Sequence, residues 1–444
     1  MYSQHKSETL FSRGRKVIPD GVSSPMRAFA LVGKNPICIA SAHGSRITDV
    51  DGNEYTDFLN GFGTLILGHG PEKIVSAITQ QAAKGTIFGL STEVEYALAE
   101  KLVASTPAIE KIRFVCSGTE AVMTAVRIAR CETGRNLLVK FNGSYHGHSD
   151  VLLASPVNLD RTATKNKGVT KGITAELNRE VLLCEYNDRE RLSEIFSEHG
   201  ADIAAVVVEP YATNMGFVKS QPEFLRFIEK CCREHGALLI FDEVVTGFRI
   251  NYGGACNSLG IDPDLVTFGK IIGGGAAIGA FAGKARYMDR VAIGNEVFQS
   301  GTFSANPLTM AAGNAALEIL SQPGFYDGLE AKGAFLESKI KSAFAAKGIP
   351  FHFSRVGSLC GIAMRRDSTP MRSYKDVKTQ DYELFRNLHS RMLEAGFLMP
   401  PSLEEPLFLS AAHSEDDLAR FAEALSGNIV SLLAERQAAE LQPA

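Results

Sequence analysis

No stretch of this 444-residue chain approaches the roughly 18 consecutive apolar residues that a membrane-spanning helix requires, and no membrane partner is expected. No block of like charge occurs either. The formal net charge of -4 gives no electrostatic reason to bind nucleic acid or anionic lipid, so the expected partner is a small molecule. The eight cysteines (Cys38, Cys116, Cys131, Cys184, Cys231, Cys232, Cys256, Cys360) form no Cys-x-x-Cys pair, and residues 1–6 contain no apolar signal core. Reduced, buried thiols in a cytoplasmic protein are the expectation, with no zinc or other metal site.

What is present is the composition of an ordinary globular protein, 45% hydrophobic and 22% charged. The length exceeds one core. Two domains are therefore expected: a large one over residues 70–324 and a smaller α+β one over 325–444, the latter joined by an N-terminal segment, 1–69. Helical and strand patterns alternate through the large region, which implies an α/β fold with a mainly parallel sheet sandwiched by helices. A helix over 92–105 is marked by Val94, Leu98 and Leu102 and by a capping box, Thr92-x-x-Glu95. Another spans 222–235, with Phe224, Leu225, Ile228, Cys231 and Cys232 on one stripe and Gly236 as its stop. Short apolar runs at 136–141, 204–208, 237–241 and 265–268 lack period-two alternation, as strands buried on both faces do. Long helices follow at 329–347 and 414–435, the second with Ser414 as N-cap and a frayed tail after Gln437.

Three of these runs end in residues with chemistry. Glu209 and Asp242 lie at carboxyl ends of strands, where open α/β sheets bind ligands, and Lys270 closes the run before Gly273-Gly274-Gly275. A lysine and an acid at neighbouring strand ends are what a pyridoxal 5'-phosphate (PLP) enzyme needs, because the cofactor is held covalently by a lysine amine while a carboxylate keeps its ring nitrogen protonated. Ser117-Gly118-Thr119, at the start of a helical pattern, offers backbone N–H groups to a phosphate, although alone it would be a structural cap. Tyr145-His146-Gly147-His148 supplies an aromatic face, although alone it would be a surface loop, and no carboxylate at metal spacing makes its histidines ligands.

Read in order, further stretches join these: 23–29 (Ser-Ser-Pro-Met-Arg-Ala-Phe), 49–55 (Asp-Val-Asp-Gly-Asn-Glu-Tyr), 65–69 (Leu-Ile-Leu-Gly-His), Gly247-Phe248-Arg249, Gly301-Thr302 and Asn306-Pro307. With them the chain resembles the class III, fold-type I PLP-dependent aminotransferases over about 18–433, nearest the aminomutase branch. That resemblance implies amino-group transfer, with the conversion of glutamate 1-semialdehyde to 5-aminolevulinate first and intermolecular transfer to another aldehyde or ketone second. It implies PLP as cofactor, with pyridoxamine 5'-phosphate as its alternate form, and a homodimer with shared active sites. Lys270 is then the Schiff-base lysine and proton carrier, Asp242 the pyridinium partner, and Tyr145 and Val244 the residues on the two ring faces. Ser117, Gly118 and Thr119 bind phosphate, Thr302 reaches it from the neighbouring subunit, and His146 and Glu209 complete the cofactor's surroundings. Ser24 and Arg27 would hold the substrate carboxylate, an arginine fork suiting that task, with Phe62, Asn214 and Glu405 also facing substrate.

The chain also departs from that family. Phe62 stands where the aminomutases usually carry tryptophan, a residue absent here, and Pro406-Leu407 replaces smaller residues after Glu405. The segment 154–170 keeps the length of a gating loop but lacks its glycine-serine-glycine start and carries Pro156, Asp160 and Arg161. Less complete closure, and partial dependence on an added amino donor, are expected from it.

Overall fold

The computed structural model describes residues 2–153, 170–291, 294, 296–365, 367 and 369–440. The expected gating segment 154–170 lies outside the described residues except for Thr170. Seven strands form the central sheet: β1 (Lys111–Val115), β2 (Leu137–Phe141), β3 (Val181–Cys184), β4 (Ile203–Val208), β5 (Leu238–Asp242), β6 (Leu265–Gly269) and β7 (Gly279–Gly283). Their spatial order is β1-β7-β6-β5-β4-β2-β3. β7 runs antiparallel to both its neighbours, and the other pairings are parallel, so the mainly parallel sheet is borne out with one reversed strand.

Every residue of β4, β5 and β6 is buried, which explains why these runs show no alternation. Ala205, Val207, Leu238 and Ile240 pack on the face covered by the helix α1 (Gly118–Thr133). Val206, Val208, Leu239 and Phe241 face Phe224 and Ile228 of α2 (Pro222–His235). Both faces are thus covered, and in β4, β5 and β6 charged side chains stand only at or just past the strand ends.

A separate core joins the two ends of the chain: Phe29, Tyr55 and Phe58 pack with Leu336, Phe385 and Phe421, and Phe58 stacks on Phe421 at 4.0 Å. The strand Phe397–Leu398 pairs in parallel with Glu54–Asp57.

Two expectations need correction. The last helix runs from Glu415 to Glu440, past the expected fray, because Ala438, Ala439 and Glu440 are good helix formers. At Thr92 only half of the capping box forms: the Glu95 side chain accepts from the Thr92 N–H, whereas Thr92 Oγ1 has no partner among the described residues.

Candidate active site

The carboxyl ends of β1, β4, β5 and β6 deliver Ser117, Glu209, Asp242 and Lys270 respectively. In-register pairing sets Asp242 beside Thr267 and Phe241 beside Val208, so the two acids reach the same end of the sheet. Asp242 is buried and acts as acceptor on both oxygens. Its Oδ2 lies 2.7 Å from His146 Nδ1, and its Oδ1 accepts from the Val244 N–H at 3.1 Å and from Thr267 Oγ1 at 3.2 Å. His146 is buried as well, and its Nε2 has no partner among the described residues.

Glu209 is ordered by its own turn. Its Oε2 accepts from the Thr213 N–H (2.9 Å), Thr213 Oγ1 (2.6 Å) and Asn214 Nδ2 (3.1 Å), while Oε1 accepts from the Tyr145 N–H (3.3 Å). Burial pushes its carboxyl up from the ordinary value, His146 opposes this and Asp242 adds to it.

Lys270 follows β6 with a φ of 51°, a left-handed conformation costly for a side chain with a Cβ. Burial lowers its ammonium pKa, the carboxylates of Glu405, Glu209 and Asp242 push it back up, and the Arg249 guanidinium lowers it further. These interactions gather the sequence-predicted lysine and three acids into one neighbourhood. Tyr145 belongs to it too. Half-exposed, it shares a hydrogen bond with Thr119, and burial raises its phenol pKa with help from Asp242 and Glu405.

At the N-terminus of α1, Ser117 Oγ accepts from the Glu120 N–H (3.2 Å) and donates to Glu120 Oε2 (2.9 Å). The Ser117 hydroxyl is therefore engaged in the cap. The N–H groups of Gly118 and Thr119, in the first helical turn, have no intrahelical acceptor. Gly147, at φ 92°, rests directly on them: a Cβ there would lie 2.7 Å from Thr119 Cα. Val244 wedges between the cap and β6, since a Cβ on Gly118 would come within 3.0 Å of it and one on Gly269 within 3.2 Å.

The remaining candidates stand further out. Phe62 lies in a turn with positive φ at Asn60, Gly61, Phe62 and Gly63. Ser24 precedes the short turn Pro25–Ala28 without a side-chain capping bond, and the exposed Arg27 guanidinium has no polar partner among the described residues. Thr302 is exposed in the single chain. None of these three segments is hydrogen-bonded to Lys270 or Asp242. Sequence reasoning missed the supports of Asp242 and Glu209, namely Thr267 and Thr213, and the buried Arg249. Thr213, four residues after Glu209, was open to a turn argument, whereas Thr267 needs the β5–β6 register.

The donor set fits PLP. A helix N-terminus can take the phosphate, an acceptor-only buried carboxylate the protonated ring nitrogen, a half-exposed tyrosine one ring face, and Lys270 the aldehyde carbon. His146 Nε2 is the kind of orphaned buried polar atom that such a group would satisfy. When bound, PLP supplies an electron sink that stabilises negative charge at the substrate carbon.

Fold and site together define a fold-type I PLP-dependent transferase. The Aminotransferase class-III family model matches residues 30–425, and the chain belongs to that family. It is 44% identical over 417 residues to a glutamate-1-semialdehyde 2,1-aminomutase from Desulfitobacterium hafniense, covering 94% of this chain and 96% of that one. Among solved structures it superposes on an omega-transaminase from Sphaerobacter thermophilus with a TM-score of 0.88 at 32% identity, covering 96% of this chain and 98% of that one. A transaminase with PLP bound matches with a TM-score of 0.87 at 30% identity, over 98% of this chain and 100% of that one. The chain is thus a PLP-dependent enzyme of amino-group transfer.

Proposed function

We propose that this enzyme converts glutamate 1-semialdehyde to 5-aminolevulinate, moving an amino group within one carbon skeleton. The reading rests on Lys270, Asp242 and Glu209 meeting at one end of the sheet, with Glu405 near enough to favour the Lys270 ammonium and so placed to face substrate amino groups. It is supported by the 44% identity to the D. hafniense aminomutase.

In this reading Asp242 holds the ring-nitrogen proton and His146 orients Asp242. Tyr145 and Val244 flank the ring. The backbone of Gly118 and Thr119 binds the phosphate, with Ser117 shaping that cap. Lys270 would hold the cofactor through its amine and, once that amine is free, would move the proton at the substrate carbon. Arg27 and Ser24 take the substrate carboxylate, and Phe62, Asn214 and Glu405 bound the substrate side. Thr302 completes the phosphate site of a second copy. Exposure of Phe88, Leu90, Phe298 and Phe303 supports a homodimer. The enzyme is read as cytoplasmic, with the large domain at 70–324 carrying the cofactor and the segment 1–69 joining the smaller α+β domain at 325–444.

Intermolecular transfer to another aldehyde or ketone is the second reading, favoured by Phe62, Pro406 and Leu407 and by the likeness to an omega-transaminase. Supplying the purified holoenzyme with glutamate 1-semialdehyde and a panel of other aldehydes and ketones tests the choice. 5-Aminolevulinate as the dominant product supports the first reading; its absence, with amination of another acceptor, supports the second.

A further inference from the structure

Arg249 lies seven residues beyond Asp242 in sequence and is only 1% exposed. Its guanidinium meets acceptors from three distant segments and no carboxylate. Nη2 donates to the Gly63 carbonyl, and Nη1 donates to the Leu409 carbonyl at 2.9 Å and to Ser358 Oγ at 3.3 Å. The Phe408 ring lies beneath it, 5.5 Å from centroid to guanidinium carbon.

The contacts with Gly63, Leu409 and Phe408 lead to the substrate side. Gly63 ends the turn of residues 60–63, whose φ values of 46°, 59°, 56° and 88° put both Asn60 and Phe62 in the left-handed region. That conformation is disfavoured for a phenylalanine and persists only where its surroundings hold it. Phe408 fills the hollow of the turn: a Cβ on Gly63 would lie 2.6 Å from its ring. Asn60 Nδ2 ties the same turn to the Phe408 carbonyl at 2.6 Å. Phe408 and Leu409 follow directly on the segment that carries Glu405.

We infer that Arg249 is a positioning residue, whose guanidinium fixes the Phe62 turn and the Glu405 segment against the chain leaving Asp242, so that both substrate-side walls keep one placement relative to the cofactor. A buried cation is otherwise costly, and three acceptors with an aromatic face are what hold it. Lysine cannot reproduce the fork, since its single ammonium reaches fewer separated acceptors. The inference rests on the substrate-side roles read above for Phe62 and Glu405.

The test compares wild-type holoenzyme with Arg249→Lys and with Asn60→Ala, which loosens the same turn without touching the guanidinium and serves if the first variant fails to fold. Hydrogen exchange should quicken at the Leu65, Phe408 and Ala411 amides, which are bonded to Asn60, Phe58 and Ile66, and stay unchanged in β5. The visible band of the bound cofactor should persist. The concentration of glutamate 1-semialdehyde that half-saturates bleaching of that band should rise about tenfold, with the limiting rate little altered. In a Phe62→Ala background the same Arg249→Lys change should have a smaller effect, because one of the two walls it positions has lost its side chain. Unchanged exchange, or faster exchange with unchanged half-saturation, overturns the inference. So does an undiminished Arg249→Lys effect in the Phe62→Ala background. Failure of wild type to make 5-aminolevulinate counts against the proposed reaction instead, and leaves the exchange result to decide on Arg249.

Discussion

His146 Nδ1 sits 2.7 Å from Asp242 Oδ2, with both side chains buried against the end of the parallel sheet. The second oxygen of Asp242 accepts from Val244 and Thr267, so the carboxylate is pinned from its own chain and from two neighbours. A carboxylate held this way donates nothing. It is suited to keep a proton on a bound ring nitrogen, and Lys270 emerges from the adjacent strand at the same end of the sheet.

Asp242→Asn replaces the acceptor with a neutral amide of the same shape. The variant is expected to fold and retain PLP through the α1 cap while its turnover falls at least about a hundredfold. Absorption spectra and steady-state assays check this, and unchanged turnover would remove Asp242 from the site.

On the proposed assignment, Lys270→Ala removes both the covalent anchor and the proton carrier. Turnover should drop by roughly three orders of magnitude or more, with part of the cofactor kept by non-covalent contacts. Cofactor content after gel filtration and single-turnover rates are the measurements.

Glu405→Gln tests the electrostatics around the lysine. The carboxylate favours the ammonium form of Lys270, so removing it lets the already depressed pKa fall further. As the neutral amine is the reactive base, the ascending limb of the pH–rate profile should move to lower pH. A shift to higher pH would contradict the assignment.

Acid should loosen the core shared by the chain ends. His389 and His413 are buried there and burial holds each pKa down to about 4, against about 6.5 for free histidine. In the unfolded chain both take up protons from pH 6.5 downward, whereas in the folded chain neither does until about pH 4. Stability is thus fully present above pH 6.5 and declines toward pH 4, by roughly 2–3 kcal/mol for each histidine. Urea unfolding at pH 7.5 and 5 checks the sign, and His413→Asn should flatten the dependence.

Much of this was legible before any coordinates. Uninterrupted apolar runs ending in Glu209, Asp242 and Lys270 point both to the parallel sheet and to the end of it suited to bind ligand, because a strand buried on both faces carries its charged groups only at its tip. Ser117 was read both as cap and as phosphate cradle; its hydroxyl belongs to the cap, and its neighbours' N–H groups remain for the phosphate. Arg249 was legible only as part of a motif. Its partners Gly63, Ser358 and Leu409 are 109 to 186 residues away in sequence, a distance no local pattern reports. The reversed β7 was equally hidden, since strand direction depends on the connection and not on the strand's own residues.

In the proposed reaction one enzyme site moves an amino group within a single substrate. Holoenzyme loaded in the pyridoxamine form and given glutamate 1-semialdehyde with no other amino donor measures it directly, as 5-aminolevulinate formed per site. Many turnovers per site are expected. Product that stops near one equivalent per site, and resumes only when an amino donor is added, would contradict the mutase reading.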